Sequence, residues 1–188
     1  MKGCDGMSLS VHVCVMEECT GRTRWLQLPC DDVKSRLPGF DTSDLVISDS
    51  ESVLYSVGDN VFLANAVIKD LNSLGVDDES KVCALLLASG CDSLSDPEFV
   101  KVLDGDFSVL KIDAKWNLTE EETAACWLAT EEYIPFGELD MGDLVTLEDK
   151  LMDFIDWRSV WEKYEDYGWE LVDVDKELFL IQIRNSVV

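Results

Sequence analysis

A chain of 188 residues with 39 Asp and Glu against 15 Lys and Arg, a net charge of −24 and a pI near 4.1, repels DNA, RNA and anionic membranes, which argues against direct nucleic-acid binding. With 47% apolar residues it can bury a substantial core, yet its longest apolar run, Val82 to Ala88, falls far short of the ~20 residues of a membrane span. The opening MKGCDGMSLS has no hydrophobic signal region, and seven cysteines without a C-x-x-C pair read as reduced thiols, so a cytoplasmic protein without a disulfide framework is expected.

Leu9 to Met16 alternates Leu9, Val11, Val13 and Val15 with Ser10, His12, Cys14 and Met16, the period of a half-buried strand. Thr20-Gly21 supplies a turn, and Thr23 to Leu28 reads as the antiparallel partner. His12, the only histidine, falls on the less apolar face. No pair of cysteines has ligand spacing beside it, so it reads as a surface residue, and no metal or cofactor is expected. Pro29 ends the strand, Asp31-Asp32 can cap a short helix from Asp32 to Leu37, and Leu45 to Ser48 is a third strand running into DSES. Residues 1–58 therefore read as a small antiparallel sheet carrying one helix.

From 59 to 104 the pattern is helical. Asp59 to Leu74 places apolar residues at 61, 64, 68 and 71 and stops at Gly75. Asp77 to Ser89 opens on acids and closes at Gly90, while Ser95-Asp96-Pro97-Glu98 starts a helix reaching about Leu103. Asp104-Gly105-Asp106 looks like the start of a calcium loop, but the central glycine is missing and Lys115 stands where the closing Glu belongs.

Residues 105–188 read as a mixed α and β part. Phe107 to Ile112 is a strand, and Thr119 with Glu122 forms a capping box opening a helix to about Ile134. Pro135, Gly137 and Gly142 mark a loop. At 100° per residue, a helix from Leu147 to Tyr164 puts Leu147, Leu151, Phe154 and Ile155 on one face and Asp149, Asp153 and Asp156 on the other. Trp169 to Val174 and Glu177 to Ile183 form a hairpin about Asp175-Lys176. The expected class is α+β, as a succession of small domains.

Between Thr119 and Glu177, 19 Asp and Glu face 4 Lys and Arg, so this segment holds 15 of the 24 net negative charges. Trp127, Phe154, Trp157, Trp161 and Trp169 are interleaved with those acids, which marks a folded body with an acidic exterior, because disordered acidic tails lack such residues. There is no glycine-rich phosphate loop, nucleophile elbow or HExxH zinc motif, so a binding role is expected rather than an enzymatic one. Duplex DNA carries one charge per ~1.7 Å of axis, so this net charge matches roughly 40 Å of duplex, about 12 base pairs. Acids three or four residues apart on one helix give only one charge per roughly 5 Å. Several elements must contribute to one surface.

The order of these pieces resembles the ArdA-type antirestriction proteins. The likeness lies in RWLQLPCDDVKSRL, in DLVISDSES, in the helical middle, in FSVLKID and TAACWLATEEYI, and in DFIDWRSVWEKYEDYGWELVDVDKELFLIQI, from about Leu9 to Ile183. The chain departs from that pattern in its longer leader and its many cysteines and tryptophans. The resemblance implies an elongated protein of three small domains, pairing into a homodimer whose acidic surface imitates bent duplex DNA. It implies inhibition of type I restriction-modification enzymes by occupation of their DNA site. The residues then expected to imitate phosphates are Asp140, Asp143, Glu148, Asp149, Asp153, Asp156, Glu162, Glu165, Asp166, Glu170 and Asp173, with Asp44, Asp49, Glu51, Asp59, Asp77, Asp78 and Glu79 as a weaker set. Any one of these acids reads equally as a solubilising charge. The alternatives are an inhibitor of another DNA-processing or CRISPR effector enzyme, or a general acidic adaptor for basic proteins.

Overall fold

A computed structural model describes residues 8–54, 58–114, 118–130 and 155–184, and these form an α+β protein. The valine alternation produces strand β1 (Val11–Glu17), which turns at Thr20-Gly21 into β2 (Arg22–Leu28) and pairs with it antiparallel, Val13 opposite Leu26 and Glu17 opposite Arg22. On its other edge β1 pairs antiparallel with β3 (Leu45–Ser50), the register shifting between Cys14 and Val15, so the sheet order is β2-β1-β3. Period-2 geometry buries Val11, Val13, Val15, Leu26, Leu28 and Ile47 on one face and leaves His12, Trp25 and Gln27 on the other.

Each helix of this part starts where a polar side chain caps its free N–H groups. Asp32 caps α1 (Val33–Arg36), Asn60 caps α2 (Val61–Ser73), Asp78 caps α3 (Glu79–Ser89) and Asp96, followed by Pro97, caps α4 (Pro97–Leu103). Gly90 ends α3 in the left-handed region at φ 68°, which a side chain would disfavour. Helix α2 packs on α1, α4, β2 and β3 and buries Val61, Ala64, Ile68 and Leu71 completely.

Two asparagines of α2 fasten the helix to the strands. Asn65 accepts from the Cys30 N–H at 2.7 Å and donates to the Cys30 carbonyl at 3.1 Å, and Asn72 makes the same pair with Leu9 at 2.8 and 3.0 Å. These contacts, 35 and 63 residues apart in sequence, tie α2 to the chain just after β2 and just before β1. Where the sequence suggests three domains divided near 58 and 104, the contacts group the chain into two compact units, one up to Asp106 and one from Phe107 to Arg184.

The second unit contains β4 (Asp106–Ile112) from its second residue on, α5 (Glu120–Thr130), α6 (Trp157–Asp166), β5 (Trp169–Val174) and β6 (Glu177–Arg184), with sheet order β4-β6-β5. The capping box is formed: Glu122 N–H donates to Thr119 Oγ1 and Thr119 N–H donates to Glu122 Oε2. Strands β5 and β6 are antiparallel, Leu171 opposite Leu180, about a turn in which Asp175 and Lys176 both have positive φ and Asp173 Oδ1 accepts from the Lys176 N–H. Trp157, Trp161 and Tyr164 lie on one stripe of α6 and pack with Leu128 of α5, Trp169 and Leu180.

The continuous helix expected from Leu147 to Tyr164 is corrected at its centre. Helix α6 starts only at Trp157, and Asp156, at ψ 81°, is its cap. The cause is local: Asp156 accepts from both the N–H and the hydroxyl of Ser159, at 3.2 and 2.8 Å, which satisfies the helix start and competes with continuation. Residues 147–154, the loop with Pro135, and the expected end of α5 beyond Thr130 lie outside the described residues. Among the described residues no helix is long and apolar enough to cross a membrane.

Asn65→Ala strips two hydrogen bonds from the partly buried Cys30 backbone, and a loss of roughly 2 kcal/mol in unfolding free energy is expected. Urea denaturation of the variant reads this directly, and an unchanged midpoint would show that the helix is not fastened to the strands in this way.

Candidate acidic interface

The acidity is spread over both units. Among the described residues, the first unit carries 18 Asp and Glu against 7 Lys and Arg, and the second 12 against 5. The excess is therefore not confined to the last third, although part of that segment's charge, Asp140, Asp143, Glu148, Asp149 and Asp153 included, lies outside the described residues.

Many of these carboxylates are engaged by the chain's own backbone. Asp32, Asp78, Asp96 and Asp156 cap helices, Glu122 completes a capping box, Asp41 accepts from the N–H and hydroxyl of Ser43, and Asp44 accepts from the Cys19 N–H at 2.9 Å. Hydrogen bonds to the ionised form favour it. The Ser159 hydroxyl and N–H accordingly hold the Asp156 carboxyl below its ordinary range, and the Ser43 N–H and hydroxyl do the same for Asp41. Neutralisation by cations is sparser: among the described residues Asp77 pairs with Lys81, Glu98 with Lys101 and Glu177 with Lys111, and Glu51 meets His12.

The expected phosphate imitators therefore separate into classes. Glu162, Glu165 and Asp166 stand on the exposed face of α6, opposite the Trp157, Trp161 and Tyr164 stripe, and Glu170 is exposed on β5 on the face away from Trp169. These four make no side-chain hydrogen bond or ion pair among the described residues. Asp156 is a cap and Asp173 holds the hairpin turn, so each has a structural task of its own. Arg158 and Lys163 share the exposed face of α6 with its three acids, which leaves the helix a small net charge and a thin line of carboxylates. In the weaker set, Asp44 and Asp78 are engaged by backbone N–H groups, Asp49 accepts from the Ser50 N–H, Asp59 from the Ser93 hydroxyl, Glu79 from the Ser52 hydroxyl, Asp77 pairs with Lys81 and Glu51 meets His12.

One acid escaped the sequence reading. Glu17 is buried, 3% exposed, at the end of the valine face of β1, where it accepts from the Thr20 hydroxyl and from the Asp41 N–H. Extending the Val11, Val13, Val15 alternation by one step would have placed it inward. The Thr20 hydroxyl first, then the Asp41 N–H, hold its carboxyl below the ordinary 4.5.

Among the described residues no group of three or more His, Cys, Asp and Glu is placed to hold a metal ion. Comparison with protein-family models, curated proteins and solved structures finds no match to the chain.

Because the folded form of Glu17 ionises more readily than the unfolded form, its contribution to stability is present above pH 4.5 and is lost as pH falls through the lowered value. Glu17→Gln is expected to lower the thermal midpoint at neutral pH, and the gap to wild type should close on acidification. A gap that stays constant with pH would contradict the ionised, hydrogen-bonded carboxylate.

Proposed function

We propose that this chain is a DNA-mimicking antirestriction protein, a binding protein without catalysis, which inhibits type I restriction-modification enzymes by occupying their DNA site. The observation that carries the reading is a group of exposed carboxylates, Glu162, Glu165, Asp166 and Glu170, that hold no side-chain hydrogen bond or ion pair among the described residues and are backed by a tryptophan core. Charges held in place by a packed interior meet a basic cleft without the ordering penalty of a disordered tail. The choice of type I enzymes as target, and of a homodimer as the active form, rests on the sequence resemblance.

Under this reading each acid replaces one phosphate contact in solvent, so single contributions are small and accumulate. Glu162→Lys, Glu165→Lys, Asp166→Lys and Glu170→Lys are each expected to weaken inhibition roughly two- to fivefold, and together far more. The measurement is cleavage of unmodified plasmid by a type I enzyme at graded inhibitor concentrations, with a simple type II enzyme as a control that should be unaffected. Abolition of inhibition by one substitution, or equal inhibition of the type II enzyme, would contradict phosphate mimicry. Competition with duplex DNA separates this from a general acidic adaptor, whose occupancy added duplex leaves unchanged.

A further inference from the structure

The open face of the first sheet carries a feature that bulk acidity does not explain. Ser10, His12, Gln27, Glu51, Ser52 and Glu79 line a cleft of about 250 Å³, into which no Lys or Arg among the described residues projects. These residues come from β1 and the residue before it, β2, the segment after β3 and the first turn of α3. His12 Nδ1 lies 3.2 Å from Glu51 Oε2, Ser52 donates its hydroxyl to Glu79 Oε1 at 2.5 Å, and Gln27 Nε2 donates to Ser10 Oγ at 3.3 Å. Each carboxylate is thereby oriented through one oxygen while its other oxygen, Oε1 of Glu51 and Oε2 of Glu79, keeps its acceptor capacity. One side-chain place along β2 on the same face stands Trp25, 51% exposed although it is large and apolar.

We propose that this cleft, with Trp25 at its side, is a docking site for an arginine side chain carried by a partner protein. Charge complementarity selects a cation, since two carboxylates and no lysine or arginine line the cleft, and its one histidine, His12, is already turned to Glu51. A guanidinium has five N–H donors in a planar fork and so can engage both carboxylates at once, and its weakly hydrated face stacks on an indole, whereas an ammonium is a compact, strongly hydrated point charge. The cleft's size suits one such head group rather than a folded segment. The site stands apart from the DNA-mimicry reading: it takes arginine whether or not the partner is a restriction enzyme.

The test is NMR titration of the labelled full chain with a short capped Gly-Arg-Gly peptide and with its Gly-Lys-Gly counterpart. Saturable shifts are expected at the amides of His12, Gln27 and Ser52 and at the Trp25 indole, with the lysine peptide binding several-fold more weakly. Glu51→Gln combined with Glu79→Gln should weaken arginine binding roughly tenfold or more, the same spectra reporting that the fold is kept. Glu162→Gln combined with Glu165→Gln, on the other unit, should leave it unchanged while still reducing inhibition if mimicry holds. Shifts spread evenly over the acids of both units, equal binding of the two peptides, or indifference to the cleft variants would overturn the site. So would the same shifts appearing on raising protein concentration alone, which would make a second copy of the chain the occupant.

Discussion

Like-charge repulsion is the constraint that this structure must satisfy before it can do anything else. A net charge of −24 on 188 residues sets carboxylates against one another well within the ~10 Å over which salt leaves them unscreened. Few of them are offset by lysine or arginine among the described residues. Backbone N–H groups take that place: helix starts at Asp32, Asp78, Asp96 and Asp156 and turns at Asp41 and Asp173 direct partial positive charge at ionised oxygens. Acids used in this way support the fold that their repulsion opposes. Beneath them, apolar burial does the rest, with Trp157, Trp161, Tyr164 and Trp169 in the second unit and the valine face closed by α2 in the first.

Dividing the acids by what holds them changes how function is assigned. A carboxylate locked to a cap has a reason to exist without any partner, and Asp156 and Asp173 now belong to that group. Glu162, Glu165, Asp166 and Glu170 hold no such bond among the described residues, and the proposed contact with a basic surface rests on them. Their spacing on α6 and β5, interrupted by Arg158 and Lys163, is sparser than duplex phosphates, so an imitation of DNA depends on acids from several elements acting together.

Local features were legible in the sequence. The β1–β2 hairpin, the helix caps at Asp32 and Asp96, the Thr119–Glu122 box and the turn at Asp175-Lys176 each depend on residues a few positions apart, and all appear where the pattern puts them. Asp156 was misplaced because its period matches a charged helix face as well as a cap, and only the bond to Ser159 decides between them. Asn65 and Asn72 read as ordinary polar positions on a helix, and nothing near them in sequence announces Cys30 or Leu9 as partners. The His12 cleft was hidden for the same reason, since His12 meets Glu51 across 39 residues and Ser52 meets Glu79 across 27.

The central claim is that many solvent-exposed carboxylates, held outside a packed interior, act collectively on a basic DNA site. The salt dependence of the dissociation constant between this protein and a type I restriction enzyme tests it most directly. Collective ionic binding gives affinity that falls steadily, by tenfold or more for a roughly fourfold rise in salt, along a straight line in log–log form. A dissociation constant that stays flat over that range would contradict the account and assign the affinity to apolar contact instead.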